Sequence, residues 1–175
     1  MDHIIEKAKR IRLAGFDVDG VLSTGSVGYG LEGIERQEFS VQDGQGLVFL
    51  KATGVELAII TGSPSNIIKR RAEDLKIIHF YGGQTNKLAA YEDIKQKTGL
   101  TDEEIAYVGD DFPDLPILKR VGLAITVPNA NPLIKEHAHW TTTSYGGRGA
   151  VREVCDLIMK AQGTYQDILN SYLDQ

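Results

Sequence analysis

Carboxylate side chains stand close together at two places in this sequence. In "FDVDGVLSTG", Asp17 and Asp19 follow an apolar run, and in "GDDFPD", Asp110 and Asp111 follow another. Several acids close together repel one another unless a cation offsets their charge, and Mg²⁺ is a hard cation that takes a few carboxylates and keeps waters. We therefore expect metal-dependent chemistry at these residues.

A hydroxyl group and an amine add to this set. Thr61, with Gly62 and Ser63 behind it, follows the apolar run "VELAII", and Lys87 opens a helix-like stretch. Mg²⁺ with a lysine and a hydroxyl suits a phosphoryl group, whose oxygens share negative charge in the transition state. One carboxylate can attack phosphorus, and a second can protonate the leaving oxygen and then deprotonate water. The residue types predict phosphoryl transfer.

These residues must be positioned by the elements that carry them. Short apolar runs alternate with amphipathic helical stretches, and the runs are nearly continuous in Val, Ile, Leu and Ala, as in strands covered on both faces. The alternation predicts an α/β fold with a doubly wound, mainly parallel sheet in a three-layer α/β/α sandwich. Such sheets bind ligands beyond the C-terminal ends of their strands, where Asp17, Thr61 and Asp110 would lie.

One segment interrupts the alternation. Residues 24–41 have a glycine-rich centre between β-like flanks and predict an inserted β-hairpin. No stretch between the motifs is long enough for a cap domain, so we expect residues 1–175 to form a single domain. An apolar stripe from Val151 to Met159 predicts a helix in the C-terminal segment, residues 149–175.

Composition narrows the classes of partner. The formal net charge is −5 and the pI about 5.4, so we expect no broad binding to nucleic acid or to an anionic membrane. Cys155 is the only cysteine, which fits a reducing compartment. The N-terminal residues do not resemble a signal peptide, and no apolar run approaches the roughly 20 residues that span a bilayer. A cytoplasmic location is expected.

The motifs "DVDGVLSTG", "IITG", Lys87 and "GDDFPD" resemble, in order, the four motifs of the haloacid dehalogenase superfamily of phosphohydrolases. The resemblance implies that Asp17 is the nucleophile and Asp19 the acid/base. Thr61 would orient a phosphoryl oxygen, and Lys87 would balance charge. Mg²⁺ would be held by the carboxylates of Asp17 and Asp110 and by the backbone carbonyl of Asp19.

Within the superfamily, the chain resembles the capless phosphatases of 3-deoxy-D-manno-octulosonate 8-phosphate, a precursor of the lipopolysaccharide inner core. Similar stretches include "EFSVQDGQG", "QTNKL" and "GGRGAVREVCDLI". The resemblance implies a homotetramer built by the hairpin, whose C-terminal segments reach neighbouring active sites. Asp111 and Asp114 would lie next to the metal ligands and stabilise them without binding the metal, or one of them would bind it directly. The implied contacts with an acidic sugar phosphate are Asp19, Gly20, Ser40, Val41, Gln42, Asp43, Gly44, Gly62, Arg71, Lys87 and Arg148.

Three positions depart from this pattern. Arginines are typical of these phosphatases where this chain has Gln42, Val48 and Ser63, whereas Arg71 and Arg148 match. Arginine suits the carboxylate of an acidic sugar because guanidinium pairs with it bidentately. A nonulosonate 9-phosphate is therefore an alternative substrate.

Two alternatives belong to other functional classes. A receiver domain also uses an aspartyl-phosphate, an acidic pair, a hydroxyl, a lysine and Mg²⁺, but there the acidic pair comes first and the phosphorylated Asp later. Here the order is Asp17, Thr61, Lys87 and then Asp110, and Asp19 suits rapid hydrolysis, so the enzyme is favoured. An oligomerisation module descended from such a phosphatase would not need all four motifs intact.

Overall fold

The strand that leads to Asp17, β1 (Leu13–Phe16), lies in the interior of a six-stranded parallel sheet. The structure is a computed structural model that describes residues 1–174, apart from the side chains at positions 34 and 35. The other strands of this sheet are β4 (Glu56–Ile60), β5 (His79–Tyr81), β6 (Ile105–Val108), β7 (Leu123–Thr126) and β8 (Trp140–Thr141). Across the sheet, the strands lie in the order β5-β4-β1-β6-β7-β8.

Helices pack on the sheet in two groups. In one, α2 (Val41–Ala52) and α1 (Asp2–Ala8) pack against α7 (Ala150–Ala161), and in the other, α4 (Lys87–Thr98) packs against α5 (Leu115–Leu118). Strands β1, β6 and β7 are buried throughout, as their continuous apolar sequences predict. The doubly wound α/β architecture is confirmed, and its order changes direction at β1, which places a crevice at the carboxyl ends of β1, β4 and β6.

One glycine of β1 allows a large side chain to cross beneath the strand. A Cβ atom at Gly15 would lie 2.9 Å from Cδ2 of Tyr107, which stands on the neighbouring strand β6. Because Gly15 has no Cβ atom, the ring of Tyr107 fits beside it and is fully buried in the core. The hydroxyl of Tyr107 therefore reaches the carboxyl end of the sheet. The small residue in β1 thus decides where a polar group enters the site.

The hairpin forms a separate two-stranded antiparallel sheet. It consists of β2 (Gly28–Gly30) and β3 (Gly33–Arg36), within the segment predicted for it. A single antiparallel bridge between Ser23 and Phe39 connects the two ends of the segment. Phe39 therefore returns the chain to the turn that follows β1, and α2 begins immediately afterwards.

The C-terminal segment is helical. The predicted apolar stripe of α7 is buried, Cys155 included, and α8 (Tyr165–Leu173) follows a glycine stop at Gly163, which has φ +76°. Residue 175, the end of the predicted tail, lies outside the described residues. Among residues 1–174, no helix combines the length and apolar character that crossing a membrane requires.

Two helices were not predicted, and one is shorter than its sequence pattern indicates. α1 is seven residues long and buries Ile4 and Ala8, which is too little periodicity to recognise. α6 (Pro132–His137) has a side-chain cap from Asn131 and a proline in its first turn. The helix-like stretch "FPDLPILKRVG" contains instead a 3₁₀ turn followed by the four-residue α5. One continuous helix from Phe112 would need an N–H at position 116 to bond the Phe112 carbonyl, and Pro116 has none. α3 (Asn66–Asp74) completes the set of helices.

Candidate active site

The two aspartates of "FDVDG" lie on a turn that begins where β1 ends. The backbone N–H of Asp17 still bonds to Val108 of β6, at 2.9 Å, and its Oδ1 accepts from Val18 N at 2.7 Å. The next residues form a helical turn that is broken by non-helical backbone angles at Asp19 and Gly20. Strand alternation therefore does not apply to Asp17 and Asp19, and both carboxylates line one cavity.

Gly20 allows the two acidic motifs to meet. Its φ is +89°, a left-handed conformation, and a Cβ atom there would lie 2.0 Å from Oδ2 of Asp110. Any side chain at this position would displace the Asp110 carboxylate. The backbone carbonyl of Gly20 accepts from Asn129 Nδ2 at 2.8 Å, and Asn129 Oδ1 in turn accepts from Gly146 N, so the turn is fixed from the opposite side.

Lys87 joins two buried carboxylates. Its Nζ lies 2.7 Å from Oδ1 of Asp17 and 2.7 Å from Oδ1 of Asp114, and all three side chains are buried. Burial raises the pKa of Asp17, and the neighbouring Asp114 raises it further, while Lys87 opposes both effects. Burial alone would lower the pKa of Lys87, but Asp17 and Asp114 outweigh it and raise that pKa. The lysine is therefore held as a cation between two acids.

Asp114 is fastened by hydrogen bonds to both of its oxygens. Oδ1 accepts from the hydroxyl of Tyr107 at 2.9 Å as well as from Lys87, and Oδ2 accepts from the backbone N–H groups of Asp110 and Asp111 at 3.0 and 3.3 Å. This carboxylate thus organises the loop that carries Asp110. Tyr107 was not predicted, and the one signal for it is a phenol in an otherwise aliphatic strand, "IAYV".

Three carboxylates are close enough to share a cation. One oxygen from each of Asp17, Asp110 and Asp114 lies within 4.8 Å of the other two. Burial, with Asp114 beside it, raises the pKa of Asp110 to about 6. Hard oxygen donors that crowd one another in this way fit Mg²⁺. Because Asp114 is already saturated with donors, the carboxylates of Asp17 and Asp110 are the ones available to a metal, while Asp111 is exposed at the rim.

The remaining groups complete a cavity of about 520 Å³. Thr61 follows β4, is buried, and accepts from Ser63 N at 3.1 Å through its Oγ1, which closes the turn at Gly62. Gln84 lies opposite and bonds through its backbone N–H to the carbonyl of Thr61. The cavity is lined by Asp17, Asp19, Thr61, Gly62, Ser63, Gln84, Thr85, Lys87, Asp110, Asp111, Pro113 and Asp114. Gln84, Thr85 and Pro113 were not predicted.

Asp19 has a partner from the hairpin that the sequence did not reveal. Nε2 of Gln37 donates to Oδ1 of Asp19 at 2.8 Å, across 18 positions of sequence. Gln37 is buried and directly follows β3. No motif marks this residue, and only the folded hairpin brings it to Asp19.

Several predicted substrate contacts do not line this cavity in the single chain. Ser40 caps α2, and its carbonyl accepts from Arg71 Nη2 at 3.3 Å. The buried carboxylate of Asp43 accepts from Gly149 N and Arg152 N, at 3.2 and 2.8 Å. The start of α2 is therefore fixed against the start of α7. The predicted contacts that do not line the cavity are Gly20, Ser40, Val41, Gln42, Asp43, Gly44, Arg71 and Arg148.

Known proteins resemble this chain over most of its length. A family of haloacid dehalogenase-like hydrolases matches residues 60–154. The 3-deoxy-D-manno-octulosonate 8-phosphate phosphatase KdsC of Escherichia coli (strain K12) is 46% identical over 160 residues, which cover 91% of this chain and 85% of that protein.

Solved structures agree with the sequence comparison. A phosphatase of the same name from Moraxella catarrhalis, in complex with magnesium ion, phosphate ion and a KDO molecule, is 45% identical, with a TM-score of 0.95 over 98% of this chain and 99% of that one. The cobalt-bound phosphatase from Haemophilus influenzae is 35% identical, with a TM-score of 0.91 over 95% of this chain and 99% of that one.

Proposed function

This chain belongs to the haloacid dehalogenase-like hydrolases, and we propose that it hydrolyses 3-deoxy-D-manno-octulosonate 8-phosphate to the free sugar and phosphate. The observation that carries the proposal is the buried contact of Lys87 with Asp17, beside Asp110, in a cavity at the carboxyl end of the sheet. The substrate is proposed because the similar phosphatases are named for 3-deoxy-D-manno-octulosonate 8-phosphate. The acidic cavity supplies a place for a phosphoryl group together with a cation.

In the proposed mechanism, Asp17 attacks phosphorus and forms an aspartyl-phosphate. Asp19 donates a proton to the departing sugar oxygen and then accepts one from the water that hydrolyses the intermediate. Thr61 holds a phosphoryl oxygen at the end of β4, and Lys87 keeps the Asp17 carboxylate oriented. The carboxylates of Asp17 and Asp110 and the carbonyl of Asp19 would hold Mg²⁺, which would offset the negative charge of the phosphoryl group.

Substrate recognition is the basis for proposing a homotetramer. The predicted contacts around Ser40–Gly44, and Arg148, do not line the acidic cavity of their own chain. The hairpin presents exposed Tyr29 and Leu31, which suit burial against another copy. We propose that neighbouring copies bring sugar-binding groups to each cavity. Light scattering should give four times the 19.2 kDa mass of one chain, and a monomer would contradict the tetramer.

A nonulosonate 9-phosphate is the second candidate substrate. Ser63 lines the cavity where the similar phosphatases typically have an arginine, so one cationic contact for a sugar carboxylate is missing there. Gln42 and Val48 are exposed on α2 and carry no charge. A different acidic sugar, held by other groups, would be compatible with this change. The free, buried Cys155 supports a reducing, cytoplasmic setting for either reaction.

Phosphate release from a panel of substrates tests the proposal. The panel contains 3-deoxy-D-manno-octulosonate 8-phosphate, a nonulosonate 9-phosphate and glucose 6-phosphate, each with Mg²⁺ or with EDTA. We expect the octulosonate to have the highest kcat/KM, and EDTA to abolish turnover. A higher value for the nonulosonate would select the second candidate. Equal, feeble turnover of all three would contradict an acidic-sugar phosphatase.

A further inference from the structure

The hydrogen bond between Gln37 and Asp19 joins the hairpin to the turn that follows β1. Gln37 Nε2 donates to Asp19 Oδ1 at 2.8 Å, and 9% of the Gln37 side chain is exposed. Asp19 is half-buried and lies where the backbone departs from helical angles, with ψ 113°. Little else among the described contacts fixes its carboxyl group, so the Gln37 amide selects its orientation.

The backbone around Gln37 holds the amide in place. Phe39, two residues further on, pairs with Ser23 in the bridge that closes the hairpin segment. The hydroxyl of Ser23 donates to Val18 O at 3.3 Å, and its backbone N–H bonds to the same carbonyl at 2.9 Å. The segment that carries Gln37 is thus connected to the same turn that carries Asp19. These contacts fix the position of the Gln37 amide relative to the Asp19 carboxyl group.

The second polar atom of Gln37 argues against a purely structural role. Oε1 is buried and has no hydrogen-bond partner among the residues whose side chains the structure describes. A glutamine that served only to join two segments would normally satisfy both ends of its amide. Here the described bonding is concentrated on Asp19. An uncharged amide also suits a carboxyl group that carries a proton in one step and not in the next.

We propose that Gln37 is a positioning residue that holds the Asp19 carboxyl toward the leaving oxygen of the substrate. The proposal rests on the proposed function, in which Asp19 is the acid/base. It assigns the hairpin a part in catalysis within its own chain, in addition to any role in assembly. Because Asp19 would protonate the leaving oxygen, the effect of losing Gln37 should depend on the leaving group of the substrate.

Proton donation matters most when the leaving group is poor. The alkoxide of a sugar needs a proton as its bond to phosphorus breaks, whereas p-nitrophenolate leaves readily without one. Loss of Asp19 orientation should therefore lower kcat/KM more for the sugar phosphate than for p-nitrophenyl phosphate. The value of kcat/KM does not include the later hydrolysis of the aspartyl-phosphate, which is the same for both substrates. A general loss of folding or of metal would slow both reactions alike.

The experiment measures kcat and KM for 3-deoxy-D-manno-octulosonate 8-phosphate and for p-nitrophenyl phosphate, with Mg²⁺. Gln37→Met keeps the length of the side chain and removes the donor, and Gln37→Glu provides a second variant if the first does not fold. We expect kcat/KM for the sugar phosphate to fall about 10- to 100-fold, and a clearly smaller fall in kcat/KM for the aryl phosphate, because kcat/KM reports the step in which the leaving group departs. Glu38→Gln, the adjacent exposed residue, is the control and should match the wild type.

Asp19→Asn separates the two claims. If Asp19→Asn lowers kcat/KM equally for both substrates, Asp19 is not the acid, and the proposed mechanism fails together with the role of Gln37. If Asp19→Asn shows the selective loss but the Gln37 variants match the wild type, the mechanism stands and the positioning role is overturned. An equal loss on both substrates in the Gln37 variants overturns it as well.

Discussion

Lys87 Nζ lies 2.7 Å from Oδ1 of Asp17, at the point where β1 ends. The same ammonium group also contacts Asp114, so one cation is shared by two buried acids. A charge in this position is not solvated and is stabilised by its partners alone. The contact therefore links Asp17, the proposed nucleophile, to the stability of the loop that carries Asp110.

Removal of Lys87 should damage both activity and folding. Lys87→Met leaves Asp17 and Asp114 buried without a counter-charge, and we expect a loss of about 3–5 kcal/mol in the free energy of unfolding. Lys97→Met is the control, because that lysine of the same helix forms an exposed ion pair with Asp93, which solvent screens, and should lose far less stability. Urea denaturation measures both variants. Equal losses of unfolding free energy in the two variants would contradict a larger contribution of the buried Lys87 contacts.

The raised pKa of Asp110 predicts how metal and pH act together. Its pKa is about 6, above the ordinary value of 3.8, so without metal the protonated form favours the folded state. That stabilisation is fully present below 3.8 and is lost as the pH rises through about 6. Since Mg²⁺ requires the ionised carboxylate, it should raise Tm much more at about pH 7.5 than at about pH 5.

Thermal unfolding with Mg²⁺ or EDTA at the two pH values checks this prediction. Asp110→Asn is the matched variant, because it keeps the shape of the side chain and cannot be ionised. It should remove the part of the pH dependence that Asp110 causes and most of the Mg²⁺ effect. A Tm increase by Mg²⁺ that is the same at both pH values would contradict the assignment of Asp110.

Gly20→Ala tests the contact between the two acidic motifs. The new Cβ would lie 2.0 Å from Asp110 Oδ2, so we expect loss of Mg²⁺-dependent activity in addition to about 1–2 kcal/mol of backbone strain. Gly54→Ala is the control, since Gly54 has φ +94° and no atom within 4 Å of its Cβ position. It should lose stability but keep full activity. Metal titrations that give the same affinity for both variants would refute the proposed contact.

The residues at the carboxyl ends of the strands could be anticipated from the sequence, because nearly continuous apolar runs that alternate with helical stretches predict parallel strands whose carboxyl ends share an edge. Asp17, Thr61, Lys87 and Asp110 were named in this way, and the structure brings them to one cavity. Their roles in catalysis stay predictions.

Other features depend on tertiary packing that no local pattern encodes. Gln37 reaches Asp19 only because the hairpin folds back through the Ser23–Phe39 bridge. Tyr107 reaches Asp114 because Gly15, on another strand, leaves space for its ring.

Asp43 illustrates a second limit. The resemblance named it as a substrate contact, yet its carboxylate caps the start of α7 through Gly149 N and Arg152 N. Asp43→Ala should therefore lower the free energy of unfolding by about 1–3 kcal/mol and leave KM unchanged. Denaturation and steady-state kinetics on the same preparation decide between the two roles. A raised KM with unchanged stability would favour the contact with substrate.

The central claim is that Asp17 is the nucleophile of a Mg²⁺-dependent phosphatase. The most direct measurement is phosphate release from 3-deoxy-D-manno-octulosonate 8-phosphate by the wild type and by Asp17→Asn, with Mg²⁺ and with folding verified by circular dichroism. Asparagine has nearly the same shape but is a far weaker nucleophile than a carboxylate. The predicted result is turnover by the wild type and none detectable for Asp17→Asn. Undiminished activity in Asp17→Asn would contradict the mechanism.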